Sequence, residues 1–113
     1  MIPQIIGIKK SASTRRVIRY CSDRGIGYQL VDLKERTPGK RELDAIAAAA
    51  GGYDRLIDTE SAAYRKTNMG YMDFDPEEEL IENTELMRIP VVRTDNGIAV
   101  NPSDAELESL FGK

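Results

Sequence analysis

Histidine is absent from this chain of 113 residues, and cysteine occurs once, as Cys21. The first absence removes the commonest general base and the usual zinc ligand. The second excludes an internal disulfide, which is compatible with a reducing compartment. No apolar run exceeds a few residues, and Met1-Ile2-Pro3-Gln4 leads directly into the first apolar stretch, so neither a transmembrane span nor a secretory signal is expected. The expected location is cytoplasmic. No linker or repeat divides the chain. A composition of 41% hydrophobic and 31% charged residues suits one soluble domain, residues 1–113, large enough for its own core.

What is present begins with a strand feeding a helix. Gln4-Ile5-Ile6-Gly7-Ile8 reads as a short buried strand, Lys9 to Thr14 as a polar turn, and Arg15 to Cys21 as the first turns of a helix. A thiol at such a junction would be stabilised as a thiolate by the amides and the positive end of the helix dipole. This chain offers Ser11 there, with Thr14 three residues on. A serine hydroxyl is not redox-active, and near neutral pH it is not ionised unless a base activates it. Lys9 and Lys10 lie in a turn open to solvent, which leaves neither suited to serve as that base. Ser11 or Ser13 therefore reads as a helix N-cap. Cys21 falls one turn after Val17, on the apolar face of the helix, and reads as a small core residue.

The rest of the chain predicts a two-layer α/β organisation. Tyr28 to Asp32 is a second strand, after the Gly25-Ile26-Gly27 break. Thr37-Pro38 has the form of an N-cap with proline at the first helical position, opening a helix through Leu43 and Ile46 that closes at Gly51-Gly52. Asp75-Pro76-Glu77-Glu78 repeats that form for a helix carrying Leu80 and Ile81. Val91 to Thr94 and Ile98 to Asn101 read as a hairpin turning at Asp95-Asn96-Gly97, since Asn-Gly accepts the positive φ of tight turns. Ser103-Asp104-Ala105-Glu106 is a capping box for a final helix with Leu107, Leu110 and Phe111 on its apolar face.

Three blocks of the chain carry a resemblance. Ser11-Ala12-Ser13-Thr14-Arg15, the stretch from Leu56-Ile57-Asp58-Thr59-Glu60 to Arg65-Lys66, and Ile89-Pro90-Val91-Val92 before Asn96-Gly97 follow one another in the order and spacing of the ArsC/Spx/YffB (arsenate reductase-like) family. The chain resembles that family over essentially its whole length. The resemblance implies a thioredoxin-like α/β fold with the ArsC-type helical insertion, a mixed four-stranded sheet flanked by helices with the first two strands parallel, and a cis bond before Pro90. It also implies that Ser11 and Thr14 occupy the two cysteine positions. Arginines that the family places in the central block, before the late proline, and before the final Pro-Ser are here Glu60, Ile89 and Asn101. Of the residues that would hold and attack arsenate, Arg15 remains. No catalytic residue is therefore expected.

Charge supplies a further expectation. With 16 basic and 19 acidic residues, nucleic-acid binding through net charge is not indicated. Lys9, Lys10, Arg15, Arg16 and Arg19 nevertheless gather around the start of the first helix, with no acid in the local sequence to neutralise them. Cations there oppose the helix dipole, and an anion bound at the turn would relieve that cost; solvated pairing with distant acids is the alternative. The acidic run Asp73 to Glu79 reads as a solvated helix start rather than a metal site, because consecutive carboxylates on a helix diverge.

The expected function is a non-catalytic binding or regulatory module with an anion-binding turn at Ser11, Ala12, Ser13, Thr14 and Arg15 and a ligand edge at Ile89 and Pro90. Its partners would be a protein, as the Spx branch binds RNA polymerase, or a small oxyanion or glutathione; no cofactor, metal or membrane is called for. The alternative is a thiol- or glutathione-dependent oxidoreductase or arsenate reductase-like enzyme.

Overall fold

The computed structural model describes residues 2–66 and 73–112. Met1, Lys113 and residues 67–72, the last within the expected helical insertion, lie outside the described residues. Four strands, β1 (Gln4–Gly7), β2 (Gln29–Asp32), β3 (Val91–Thr94) and β4 (Gly97–Val100), form one sheet in the order β2-β1-β3-β4. β1 runs parallel to β2 and antiparallel to β3, and β3 and β4 form the antiparallel hairpin. The mixed sheet is the one that the family resemblance implies.

Strand alternation sends neighbouring residues to opposite faces, and that decides the layering. Ile6, Val31 and Val91 pack with Leu43 and Ile46 of α2 (Lys40–Ala50), Leu56 of α3 (Tyr53–Leu56) and Leu80 of α5 (Pro76–Glu82). Ile5 and Val92 pack on the other face with Val17, Tyr20 and Cys21 of α1 (Ala12–Asp23) and Leu107 and Leu110 of α6 (Asp104–Phe111). The sheet is therefore sandwiched between helices, giving three layers where the sequence suggested two. A short α4 (Ala62–Lys66) and a 3-10 turn (Thr84–Leu86) complete the described part of the insertion between β2 and β3. Among the described residues no helix is long and apolar enough to cross a membrane.

Several boundaries differ from the sequence reading, each for a local reason. α1 starts at Ala12 rather than Arg15, because the Ser11 side chain caps it. α2 starts at Lys40 with Gly39 as an N-cap that lends no side chain, so Thr37-Pro38 belongs to the approach and not to the helix. α5 does begin as expected, with Asp75 accepting from the Glu77 amide and Pro76 in the first turn, but Ile81 is 46% exposed while Leu80 is buried. In the hairpin, Thr94 pairs with Gly97, leaving Asp95-Asn96 as the two-residue turn. The positive φ falls on Gly97 (138°) and not on Asn96. The α6 capping box forms as expected.

Candidate functional site

β1 ends at Gly7, and Ser11 turns the chain into α1. The Ser11 amide donates to Ile8 O at 2.9 Å, closing the turn, and its own carbonyl accepts the first helical bond from Arg15 at 3.0 Å. The Ser11 side chain accepts from the Thr14 amide at 3.4 Å. Ser11 Oγ and Ser13 Oγ lie 2.9 Å apart, and Ser13 Oγ donates to the Ile89 carbonyl at 3.1 Å. A hydroxyl has one proton. Since Ser13 directs its proton to Ile89, Ser11 donates to Ser13, and one directed chain runs from the Thr14 amide through Ser11 and Ser13 to Ile89.

Thr14 is fully buried, and its hydroxyl accepts from the Ile8 amide at 3.3 Å, binding the helix start to the end of β1. Its side chain thus faces the protein rather than the turn's outer surface. The amides of Ala12 and Ser13, first in the helix, have no intrahelical partner. Arg15 is exposed, and its Nε donates to Lys9 O at 3.2 Å, which folds the guanidinium back along the turn. Arg16 pairs with Asp104 at 2.9 Å and also donates to Pro102 O. The basic cluster that looks unneutralised in the local sequence therefore gains one acid from α6 through the tertiary fold.

The other two blocks arrive beside this turn. A single antiparallel bridge, Ile57 with Met87, is flanked by Asp58 N donating to Leu86 O at 2.7 Å and Arg88 N donating to Leu56 O at 2.8 Å. That bridge sets residues 58–60 alongside Arg88 and Ile89. The Ile89-Pro90 bond is cis, and Pro90 O accepts from the Asn101 amide at 2.7 Å. Asp58, Thr59, Glu60, Arg88, Ile89 and Asn101 line a recess of about 270 Å³. Two carboxylates against one guanidinium make this recess acidic on balance. Glu60, Ile89 and Asn101, singled out in the sequence, thus converge on one cavity. Asp58 and Arg88 were not singled out; the only signal for Asp58 was its place two residues before Glu60, where its carboxylate accepts the Glu60 amide at 3.0 Å.

Cys21 is buried in the α1 layer, away from the turn, as its spacing from Val17 predicts. Burial pushes its thiol above the ordinary range, against a smaller opposing pull from Arg24. Among the described residues no cluster of three metal-ligating side chains occurs.

No protein-family model matches this chain, and no curated protein matches it by sequence. Solved structures do. An ArsC family related protein from Bacteroides fragilis superposes with a TM-score of 0.82 at 18% identity, over 97% of this chain and 98% of that one. A YffB protein gives 0.82 at 18% identity, over 96% and 98%. The arsenate reductase from Vibrio cholerae gives 0.75 at 17% identity, over 99% and 97%. The fold is the thioredoxin-like fold of these ArsC-type structures, end to end.

Proposed function

We propose that this chain, built on the ArsC-type fold, is a divergent member of the ArsC/Spx/YffB family that serves as a non-catalytic binding or regulatory module. The observation that carries the reading is the hydrogen-bond chain at Ser11. Its proton is directed to Ser13 and its lone pair caps the Thr14 amide. A hydroxyl so engaged, in a chain with no histidine, has neither the base nor the ionisation that a nucleophile requires. Lys9 and Lys10 are both exposed, which leaves them unsuited to act as that base.

The ligand we assign to the turn is a small oxyanion, held by the Ala12 and Ser13 amides and by Arg15. Unpartnered amides at a helix start and neighbouring cations support it. The carboxylates of Asp58 and Glu60 in the adjoining recess weaken it, so the affinity is low.

Two measurements test the reading. A coupled thiol assay with arsenate and with a disulfide is expected to show no turnover, in the wild type as in Cys21→Ala. Sulfate titration followed by amide NMR is expected to shift Ala12 to Arg15, less so in Arg15→Ala; no shift at high sulfate would leave Ser11 as a plain helix cap. The fold shared with proteins called arsenate reductase favours a second reading, an oxidoreductase that borrows the thiol of glutathione, with the ligand edge at Ile89 and Pro90. Glutathione-dependent turnover that survives Cys21→Ala would establish it over the first.

A further inference from the structure

We propose that the outer face of α1 docks onto α5 of a second copy of this chain. Ala12, Arg15, Arg16 and Arg19 follow the i, i+3, i+4, i+7 spacing that places residues on one stripe of a helix, and they enclose a recess of about 320 Å³. Ala12 and the three arginines line it, and an arginine offers an apolar stem while its charged head stays in water. Arg16 is engaged by Asp104, and Arg15 uses Nε on Lys9 O. Neither Arg15 nor Arg19 has an ion pair among the described residues, so two cationic heads one turn apart stand without a counter-charge.

That stripe is unfavourable for α1 taken alone. The first turn contains no acid, cations there oppose the helix dipole, and like charges four residues apart repel. A partner bearing carboxylates one turn apart would remove both costs.

The same molecule carries such a surface. Glu78, Ile81 and Glu82 of α5 lie at i, i+3 and i+4, and all three are exposed. Neither glutamate has an ion pair among the described residues, in contrast to Glu77, which Lys40 holds. Ile81 is 46% exposed, one of only two large hydrophobic side chains so exposed among the described residues. With the two helices antiparallel, Glu82 and Glu78 meet Arg15 and Arg19 at the same one-turn separation, and Ile81 comes level with the aliphatic stem of Arg16. An apolar residue flanked by carboxylates thus fits an apolar stem flanked by guanidinium groups.

α1 and α5 lie on opposite faces of the sheet. Each copy therefore offers α1 to one neighbour and α5 to another, a head-to-tail contact that grows unless its rotation closes a ring. The attraction is between exposed charges and is screened by salt.

The test is sedimentation velocity over a protein concentration series, at low ionic strength and at about 1 M salt, where the Debye length falls to about 3 Å. The average mass of the wild type is expected to rise with concentration at low ionic strength and to return to monomer in high salt. R15E/R19E and, separately, E78R/E82R are expected to stay monomeric, and their equimolar mixture to associate again, because each then presents the charge the other needs. E78R/E82R is also expected to keep the sulfate response of Ala12 to Arg15, which separates this inference from the reading of the turn. A wild type monomeric at every concentration would overturn it, including one that instead binds a synthetic acidic peptide. So would association that neither variant weakens, or a mixture that stays monomeric while circular dichroism shows both variants folded.

Discussion

Thr14 seats its hydroxyl against Gly7 so closely that a Cβ built on Gly7 would lie 2.4 Å from Thr14 Oγ1. The contact lets the start of α1 lie on the end of β1, and the same hydroxyl satisfies the Ile8 amide. Gly7→Ala forces overpacking at a fully buried threonine and is expected to lower stability by about 1–3 kcal/mol in urea denaturation. Thr14→Ala strands the Ile8 amide, yet it also opens the space that the methyl group introduced by Gly7→Ala would need. The double variant is therefore expected to fall short of additivity by about 0.5–3 kcal/mol. An unchanged urea midpoint in Gly7→Ala would count against the close approach.

Ser11→Cys, made in a Cys21→Ala background, places a thiol at the N-cap of α1 with Lys10 and Arg15 beside it. The thiolate would gain the helix dipole and the cap hydrogen bond, so its pKa is expected below the ordinary value of about 8.5. The rate of alkylation against pH reads it directly. An ordinary pKa would mean that the turn does not favour negative charge, and the anion reading would fall with it.

Cys21 titrates in the opposite sense. Its folded pKa is raised by burial, so the native state holds the thiol proton more tightly than the unfolded chain does. Its contribution to stability is full below the unfolded pKa of about 8.5 and is lost as pH rises towards the folded value. Stability measured from pH 7 upwards is expected to fall less steeply in Cys21→Ala than in the wild type. Native protein should also react with a thiol reagent far more slowly than urea-unfolded protein; equal rates would place Cys21 at the surface.

Lys40 bridges α2 and α5, reaching Asp44 at 2.7 Å and also Glu77, while the Tyr53 hydroxyl donates to Asp44. Burial, then the hydrogen bond to Asp44, raises the Tyr53 pKa above its usual value. The native state thus keeps the phenol protonated, and that contribution is lost as pH rises through the Tyr53 titration. In an NMR titration, Asp44→Asn is expected to bring Tyr53 part of the way back, leaving the share due to burial. No movement of the Tyr53 titration in that variant would remove Asp44 as a cause.

The local chemistry of this chain is legible in its sequence. The strands at Ile5-Ile6 and Val91-Val92, the Ser103-Glu106 capping box, and the apolar spacing of Val17 and Cys21 depend on neighbours within a few residues, and each takes its expected form. The start of α2 departs from expectation because proline fixes φ at Pro38 but does not oblige the next turn to be helical; Gly39 allows a later start at Lys40. Ile81 departs from it because helical spacing identifies neighbours on a stripe without saying which stripe meets the sheet. The site needed tertiary structure for the same reason. Ser13 reaches Ile89 across 76 residues and Arg16 reaches Asp104 across 88, and no periodicity carries such separations. Ser11 declares by its residue type alone that a thiolate is missing. That its hydroxyl is committed to a chain ending at Ile89, and that Asp58 and Glu60 turn the neighbouring recess acidic, was decided only when the β1–β3 pairing brought Ile89 to the turn and the Ile57–Met87 bridge set residues 58–60 beside it.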